Sequence, residues 1–338
     1  MRPALWICIA LALTPALALA AKGHAPRPHA PAPPPPPAQA VPKTCGEDCL
    51  AGHVDQVLRA MMDHDPSRAP LAADVRYTEN GEAKTPGQGL WATASAIAIE
   101  DDGLASLGRS SSAYRLYFAD PASGQAAYLG AFTEDGRPGM MMLRIKLAAG
   151  RVGEIEAVIV RQEPSPPGRE APPAFDPKAF TEPEPTLLAG GERWAPNIMT
   201  AAANRYFDGM VWRSSGGIPL GPDCVRRDNG VAAAGTCAAQ LDGGAFGRIA
   251  EVRRRVLVVD EDRGRVMAMA LVNHGPPATD AKAKKKKKKA KGDAAQDAPA
   301  PLSTELMGAV FKMSEGKIVR IETLERPVAA GLTSVWGG

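Results

Sequence analysis

The residues best suited to acid–base catalysis or ligand binding lie in one short segment and among its neighbours. The segment reads Arg76-Tyr-Thr-Glu79-Asn80-Gly81. A carboxylate beside an apolar wall can have a raised pKa and act as a general base, and an arginine can hold an anionic or enolate-like oxygen. We therefore predict Glu79 as a catalytic base and Arg76 as its electrostatic partner. The neighbours predicted to contact a ligand are Asn80, Trp91 and His64.

The same residues also have structural explanations. Asn-Gly is a turn former, so Glu79 can accept hydrogen bonds from the turn that follows it, or pair with Arg76 across a rim. His64-Asp65-Pro66 is typical of a helix exit before proline. Sequence alone leaves both roles open.

A second segment repeats the first. The stretch from Pro70 to Gly81 aligns without a gap with the stretch from Pro219 to Gly230. Asp228 takes the place of Glu79, and Asn229 takes that of Asn80, so both copies have a carboxylate immediately before Asn-Gly. We predict ligand contacts for Asp228 and Asn229, with a structural role as the alternative because Cys224 lies close by.

Both copies end on a similar strand-like segment. Gly150-Arg-Val-Gly-Glu-Ile155-Glu156 aligns with Gly316-Lys-Ile-Val-Arg-Ile321-Glu322. Strand alternation puts Glu154 and Glu156 on one face and Ile155 on the other. If the glutamate face lines a cavity, Glu156 and Glu322 contact a ligand there. If it faces water, they are solubilising groups, which is the interpretation favoured for Glu154.

The same order of elements positions these segments in each copy. Apolar residues recur at helical spacing at the start of each copy, and β-rich runs separated by turns follow. The helical positions are Leu50, Val54, Val57, Leu58, Met61 and Met62, then Ile198, Ala202, Tyr206, Met210 and Val211. The strand runs are 113–118, 126–132, 140–147 and 152–161, then 253–259, 266–273, 306–313 and 318–324. A helix leading into a curved antiparallel sheet predicts two tandem α+β rolls.

This order resembles the nuclear transport factor 2-like superfamily, including its SnoaL-like members. Four features are similar to a family of secreted fungal and bacterial domains of unknown function: Cys45-x3-Cys49, Arg76 to Gly81, Gly89-Leu90-Trp91 and Glu154-Ile-Glu156. The resemblance covers about residues 44–162 well and 193–326 less well, because the second copy has no Gly-Leu-Trp. It implies a cone-shaped sheet that commonly encloses a pocket, used by some members for isomerisation, cyclisation or hydrolysis and by others only for binding.

The amino terminus predicts export. Residues 1–20 carry one charge, Arg2, followed by an apolar stretch that ends on Ala18-Leu19-Ala20, as in a cleaved secretory signal peptide. We therefore expect a periplasmic or extracellular protein with no transmembrane span after cleavage. Cleavage removes Cys8 and leaves four cysteines, for which we predict the sequence-local disulfides Cys45–Cys49 and Cys224–Cys237. C-x3-C with C-x12-C is poor spacing for zinc, and C-x3-C is not the usual C-x-x-C of a redox dithiol.

Composition divides the rest of the chain. The 338 residues are 45% hydrophobic and 23% charged, with a formal net charge of +3, which excludes collagen, coiled coils and multi-span membrane proteins. We predict a Pro-rich leader at 21–43, rolls at 44–162 and 193–327, a Pro-rich linker at 163–192 and a tail at 328–338. A Lys-rich insertion at 277–301 interrupts the second roll. Its run Lys284 to Lys289 can attract an anionic envelope surface, but it lacks the interleaved aromatics of nucleic-acid modules.

These patterns favour a small-ligand or partner-binding module that uses the sheet cavity. One alternative is a cofactor-independent isomerase, cyclase or hydrolase acting on a small apolar molecule. Another is an envelope interaction protein that docks through the Lys-rich loop. No cofactor and no metal are predicted, because His53 and His274 have no sequence partners for ligation and no nucleophile elbow, phosphate loop or nucleotide fingerprint is present.

Overall fold

Two copies of one fold make up the described part of the chain. The computed structural model describes residues 45–99, 114–162, 187–275, 303–334 and 336. The predicted signal peptide, the Pro-rich leader, most of the Pro-rich linker and the Lys-rich insertion lie outside these ranges. The residues 45–162 are called the first roll below, and residues 187–328 the second roll.

The first roll consists of a helix and a seven-stranded sheet. Helix α1 (Glu47–Met62) buries Leu50, Val54, Val57, Leu58 and Met61, as its apolar spacing predicts. The sheet strands are β1 (Leu71–Glu79), β2 (Glu82–Lys84), β3 (Ala94–Ile97), β4 (Arg115–Asp120), β5 (Gln125–Glu134), β6 (Arg137–Ala148) and β7 (Arg151–Arg161), with the short helix α2 (Leu90–Thr93) before β3. Their order is β2-β1-β7-β6-β5-β3, and β4 also pairs with β5.

The second roll repeats this arrangement. Its elements are α3 (Pro196–Trp212), β8 (Leu220–Asp228), β9 (Val231–Ala232), α4 (Cys237–Asp242), β10 (Ile249–Asp260), β11 (Arg265–His274), β12 (Ser303–Ser314) and β13 (Lys317–Val328). Read from β9, the order β9-β8-β13-β12-β11-β10 matches that of the first roll. The single strand β10 pairs along β11 where β3 and β4 together pair along β5. The prediction of two tandem α+β rolls is confirmed.

Two details differ from the sequence prediction. The segments before Asn80 and Asn229 are strands, and β1 and β8 pair in parallel with the last strand of their roll. The sequence analysis assigned no strand to either segment and predicted an antiparallel sheet. Ile198, expected on the buried face of α3, is 52% exposed, and Met199 is buried in its place. The buried face of α3 runs through Met199, Ala202, Tyr206 and Met210, and Ile198 lies off that line.

Three hydrophobic cores are found among the described residues. One lies between α1 and the first sheet and another between α3 and the second sheet. The third joins the opposite faces of the two sheets and includes Leu129, Met142 and Val158 with Met267 and Val310. Gly308 allows this approach, since a Cβ there would lie 2.5 Å from the Met142 sulfur. The described residues of the two rolls consequently belong to one compact unit.

Both predicted disulfides are present. Cys45 is bonded to Cys49 with a Cα–Cα distance of 5.3 Å, and Cys224 to Cys237 with 5.4 Å. The second joins β8 to the first turn of α4. Among the described residues, none of the helices combines the length and apolar character needed to cross a bilayer.

Candidate functional site

The two asparagines of the repeat occupy the same structural position. Asn80 and Asn229 both have φ of 50°, a left-handed conformation that asparagine tolerates better than most residues. The Asn80 side-chain oxygen accepts from the Ile159 amide at 2.8 Å, and that of Asn229 from the Glu325 amide at 2.9 Å. Each asparagine thus ties its hairpin to the last strand of its roll, and a ligand contact by either stays a prediction.

Glu79 lies at the end of the first roll that contains the β1–β2 hairpin, called the hairpin end below, and is 6% exposed. Its carboxylate accepts from the Leu90 amide at 2.7 Å, from the Tyr77 hydroxyl at 3.1 Å and from the Arg161 guanidinium at 2.9 Å. Arg161 also donates to Glu134. Glu79 therefore belongs to an ion cluster that closes this end of the roll.

Arg76 does not meet Glu79. Tyr77 and Glu79 face the core beside α1, so strand alternation turns Arg76 to the outer face. There it pairs with Glu154 at 2.8 Å and lies 4.7 Å from the ring centroid of Trp336. Of the two arrangements considered for Glu79, the pairing with Arg76 across a rim is wrong, because its cationic partner is Arg161.

The glutamates of the last strands also lie on the outer face. Glu156 is 1% exposed and lies 3.4 Å from Arg144, which binds Glu154 at 2.7 Å. Glu322 accepts from the Tyr114 hydroxyl of the first roll at 2.8 Å. Glu156 and Glu322 are buried on the side where the two sheets pack against each other, whereas the Glu154 side chain is 19% exposed. A ligand contact by Glu156 or Glu322 stays a prediction.

Trp91 and His64 also have structural partners. Trp91 is fully buried in the core, and its indole N–H donates to the Ala60 carbonyl at 3.1 Å. His64 has φ of 56° just past the end of α1, and its Nδ1 lies 2.9 Å from the Trp91 carbonyl. The helix exit predicted from the sequence is found here. Any contact of either residue with a ligand stays a prediction.

At two positions where the first roll has apolar core residues, the second roll has charged residues. The repeat places Arg226 where the first roll has Tyr77, and the shared asparagine contact places Glu325 where it has Ile159. Tyr77 and Ile159 belong to the apolar core of the first roll. The second roll thus has an arginine and a glutamate inside the cone, where burial is costly unless the charges are paired.

Arg226 is 2% exposed and every one of its nitrogens has a partner. Its Nε donates to Asp228 at 2.5 Å, its Nη1 to the Tyr206 hydroxyl at 3.1 Å and its Nη2 to Glu325 at 2.5 Å. The guanidinium also lies 4.9 Å from the ring centroid of Phe246. These contacts fix the arginine and raise its pKa further, despite the opposing effect of burial.

The hairpin end of the second roll lacks the ion cluster that Arg161 forms in the first roll. Strand pairing puts Pro327 where Arg161 stands, His274 where Glu134 stands and Glu305 where Gly139 stands. The remaining contact is His274 Nε2 with Glu305 at 3.0 Å. Without Arg161 to bridge the strands, this end of the roll stays open.

A cavity of about 620 Å³ opens at this end. Apolar walls come from Met210, Phe246, Ile249 and Met307, and the segment 244–248 lies along its edge. The polar groups that line it are Arg226, Asp228, Gln240, Arg248, His274, Ser303, Glu305 and Glu325. Asp228 is the predicted ligand residue that the structure places in this cavity.

Burial shifts the titration of two groups that contact Arg226. Burial raises the pKa of Glu325 to about 7, with Asp228 and Glu305 adding to the rise and Arg226 opposing it. Burial also raises the pKa of the Tyr206 hydroxyl, although Arg226 counteracts part of that rise. A carboxyl group that titrates near neutrality can donate or accept a proton at physiological pH.

A smaller groove of about 250 Å³ runs beside the β1–β2 hairpin. Glu79 and Asn80 line it together with Lys84, Arg326 and Leu332. Glu79 reaches it with both carboxylate oxygens already hydrogen-bonded.

One cluster has the composition of a metal site without its chemistry. Cys45, Cys49 and His53 lie within ligating distance of one another. The two cysteines are bonded to each other, so neither offers a thiolate, and His53 Nδ1 lies 2.8 Å from the Cys49 carbonyl. The cluster is a disulfide-stapled first turn of α1.

A comparison with protein families gives a match in the second roll. Residues 192–324 match the family model of a domain of unknown function, DUF8021. The resemblance to such a family is thereby confirmed, and the match falls on the copy that lacks Gly-Leu-Trp. The DUF8021 region contains β8 to β12 and most of β13, hence most of the cavity wall. None of the curated proteins matches this chain.

Solved structures were also compared with the chain. A candidate polyketide cyclase from Silicibacter sp. TM1040 is 20% identical over 38% of this chain and 90% of its own, with a TM-score of 0.28. A candidate hydroxylase from Streptomyces galilaeus is 12% identical over 39% and 81%, with a TM-score of 0.28. A candidate ketosteroid isomerase from Kribbella flavida is 15% identical over 36% and 84%, with a TM-score of 0.22. Each is similar to about one roll of this chain.

Proposed function

We propose that the second roll is a binding module for a small organic ligand and that the first roll is its structural support. The observation that carries this is the 620 Å³ cavity built around the buried Arg226 network. Pockets for small molecules usually measure about 300–1,000 Å³ and combine apolar walls with a few fixed polar groups. In the first roll, the bulky side chains of Trp91, Tyr77 and Phe132 occupy the interior.

The protein is proposed to act in the periplasm or outside the cell. Two disulfides support this location, since such bonds persist in oxidising compartments. The signal-like sequence of residues 1–20 agrees with it. Docking on an anionic envelope surface through Lys284 to Lys289 stays a prediction, because the run lies outside the described residues.

A cofactor-independent enzyme is the second candidate. It is favoured by Glu325, a cavity carboxyl group whose pKa of about 7 suits a general acid or base. Glu79 is less suited to that role, because both of its oxygens are engaged by Leu90, Tyr77 and Arg161. Turnover of a bound molecule, lost in Glu325→Gln while binding persists, would separate this candidate from simple binding.

The binding proposal is tested by closing the cavity. Ala233 lines the cavity, and Ala232, its neighbour in sequence, is exposed and does not line it. A thermal-shift screen of small molecules on the full chain should find ligands that stabilise the wild type and Ala232→Trp but not Ala233→Trp. Ligands that stabilise all three proteins equally, or a screen without a single stabilising compound, would contradict the proposal.

A further inference from the structure

The chemistry of the cavity favours one class of ligand, and the inference rests on the proposed function. Three carboxylates line it, from Asp228, Glu305 and Glu325. Among the contacts of the described residues, Asp228 uses only Oδ1, Glu325 only Oε1 and Glu305 only Oε2. One oxygen of each carboxylate is therefore left to accept from a ligand.

The basic side chains of the cavity either have acidic partners or lie at the surface. Arg226 donates from all three nitrogens to Asp228, Tyr206 and Glu325. Two of its five N–H groups stay available, but the adjacent carboxylates of Asp228 and Glu325 offset its charge and repel an approaching anion. His274 faces Glu305 at 3.0 Å. Arg248 lies at the mouth, where its side chain is exposed and water screens its charge.

The polar side chains that line the cavity thus offer more hydrogen-bond acceptors than available donors, and the rest of the cavity wall is apolar. Gln240 is 6% exposed and donates one of its two amide N–H groups to the Gly235 carbonyl, and its side-chain carbonyl oxygen is a further acceptor. Met210, Phe246, Ile249 and Met307 form the apolar wall. An ammonium group supplies three donors and a positive charge, which this acceptor set lacks.

We propose that the cavity of the second roll selects an organic cation, a primary amine on a compact apolar body, over neutral and anionic molecules of the same shape. The ammonium group lies among Asp228, Glu305 and Glu325, and the apolar body packs on Met307 and Ile249. Charge-assisted hydrogen bonds and apolar burial then act together.

Amine binding is linked to pH through Glu325. The charged or titratable groups that face it from the surrounding elements are Arg226 and Asp228 of β8, Tyr206 of α3, Glu305 of β12 and His274 of β11. Asp228 and Glu305 help to keep Glu325 protonated near neutrality. A cation favours the carboxylate form, so its binding releases a proton and strengthens as the pH rises through 7.

The test uses three probes of one shape: cyclohexylmethylamine, cyclohexylmethanol and cyclohexanecarboxylate. Their affinities for the full chain are measured by calorimetry at pH 6 and pH 8 at constant ionic strength. The amine should bind at least about tenfold tighter than the alcohol at pH 8, and the carboxylate weakest. Its affinity should rise about tenfold between pH 6 and pH 8, as expected for a group that titrates near pH 7.

Variants assign the effect to the cavity. Glu325→Gln should weaken amine binding and remove its pH dependence. Asp228→Asn should weaken amine binding and move the pH dependence to lower pH, because Asp228 helps to raise the pKa of Glu325. Glu79→Gln, at the equivalent of Asp228 in the first roll, is the matched control and should change neither the affinity for the amine nor its pH dependence.

Equal affinities for the three probes, or a preference for the carboxylate, would overturn the proposed selection of cations. The proposal that the cavity binds a small ligand would not be affected. Cation selection would also be overturned if every compound whose binding is abolished by Ala233→Trp were neutral or anionic. Failure of every probe and every screened compound would instead overturn the proposed function.

Discussion

The two rolls share a topology and differ in what fills them. Both place a helix against a sheet of the same strand order, and both pin the hairpin to the last strand with an asparagine at φ of 50°. The first roll has Tyr77 and Ile159 inside, whereas the second has Arg226 and Glu325 at those places. The backbone plan is thus compatible with a filled cone and with an open one, and the inward-facing side chains decide between them.

The hairpin ends of the two rolls also differ because of their side chains. In the first roll Arg161 bridges Glu79 and Glu134 and holds three segments together. Its equivalent in the second roll is Pro327, which cannot bridge charges. The Cys224–Cys237 disulfide instead fixes α4 against β8 beside the cavity. A covalent link can hold the wall of an open site without filling it.

The largest effect is expected on removing Arg226. Arg226→Leu removes the buried cation that two carboxylates share, the partly buried Glu325 and the more exposed Asp228, which should lower the free energy of unfolding by about 3–5 kcal/mol. Tyr77→Phe, at the equivalent position, should cost only about 1 kcal/mol, since it removes one hydrogen bond to Glu79. Urea unfolding of both variants at pH 8 measures the difference.

The loss in Arg226→Leu should shrink as the pH falls. The pKa of Glu325 is raised in the folded state to about 7, so the folded protein binds more protons than the unfolded chain between about pH 5 and pH 7. Protonation therefore stabilises the fold at low pH, and this contribution is lost as the pH rises through 7. If the variant is equally stable at pH 5.5 and pH 8, or if Tyr77→Phe costs as much, the contrast between the two interiors fails.

A smaller effect is expected from Glu79→Gln. The variant loses the ion pair with Arg161 at 2.9 Å in a largely buried cluster, for a cost of about 1–3 kcal/mol in unfolding free energy. Asp135→Asn breaks an exposed ion pair with Arg137 at 3.7 Å and serves as the control with no measurable change. Ligand binding in the second roll should survive Glu79→Gln. Its loss, with the fold intact, would return the functional role to the first roll.

The fold could be predicted from the sequence because it depends on repeated local signals. The spacing of Leu50, Val54 and Met61 defines α1, and turns such as Asn80-Gly81 and Gly150 separate the strands. The parallel pairing of β1 with β7 was missed, because it is a long-range contact without a local signature. The burial of Glu156 was missed for a similar reason, since its outer face is covered only when the two sheets pack together.

The site was harder to predict. Glu79 drew attention through a polar segment next to Trp91, but its side chain is used to close the first roll. Glu325 and Glu305 were overlooked because each stands in a strand of ordinary appearance. Aligning the two copies strand by strand would have found them, since a glutamate at the position of Ile159 is unexpected in a core. His274 gains a partner, Glu305, that is distant in sequence.

The central claim is that the ligand enters the second roll and not the first. Methyl NMR on methionine-labelled protein tests it directly, because Met210 and Met307 line the cavity while Met61 and Met141 lie in the core of the first roll. Titration with the compound that gives the largest thermal shift should move the Met210 and Met307 methyl signals and leave those of Met61 and Met141 in place. Movement of Met61 and Met141 with unchanged Met210 and Met307 would contradict the account.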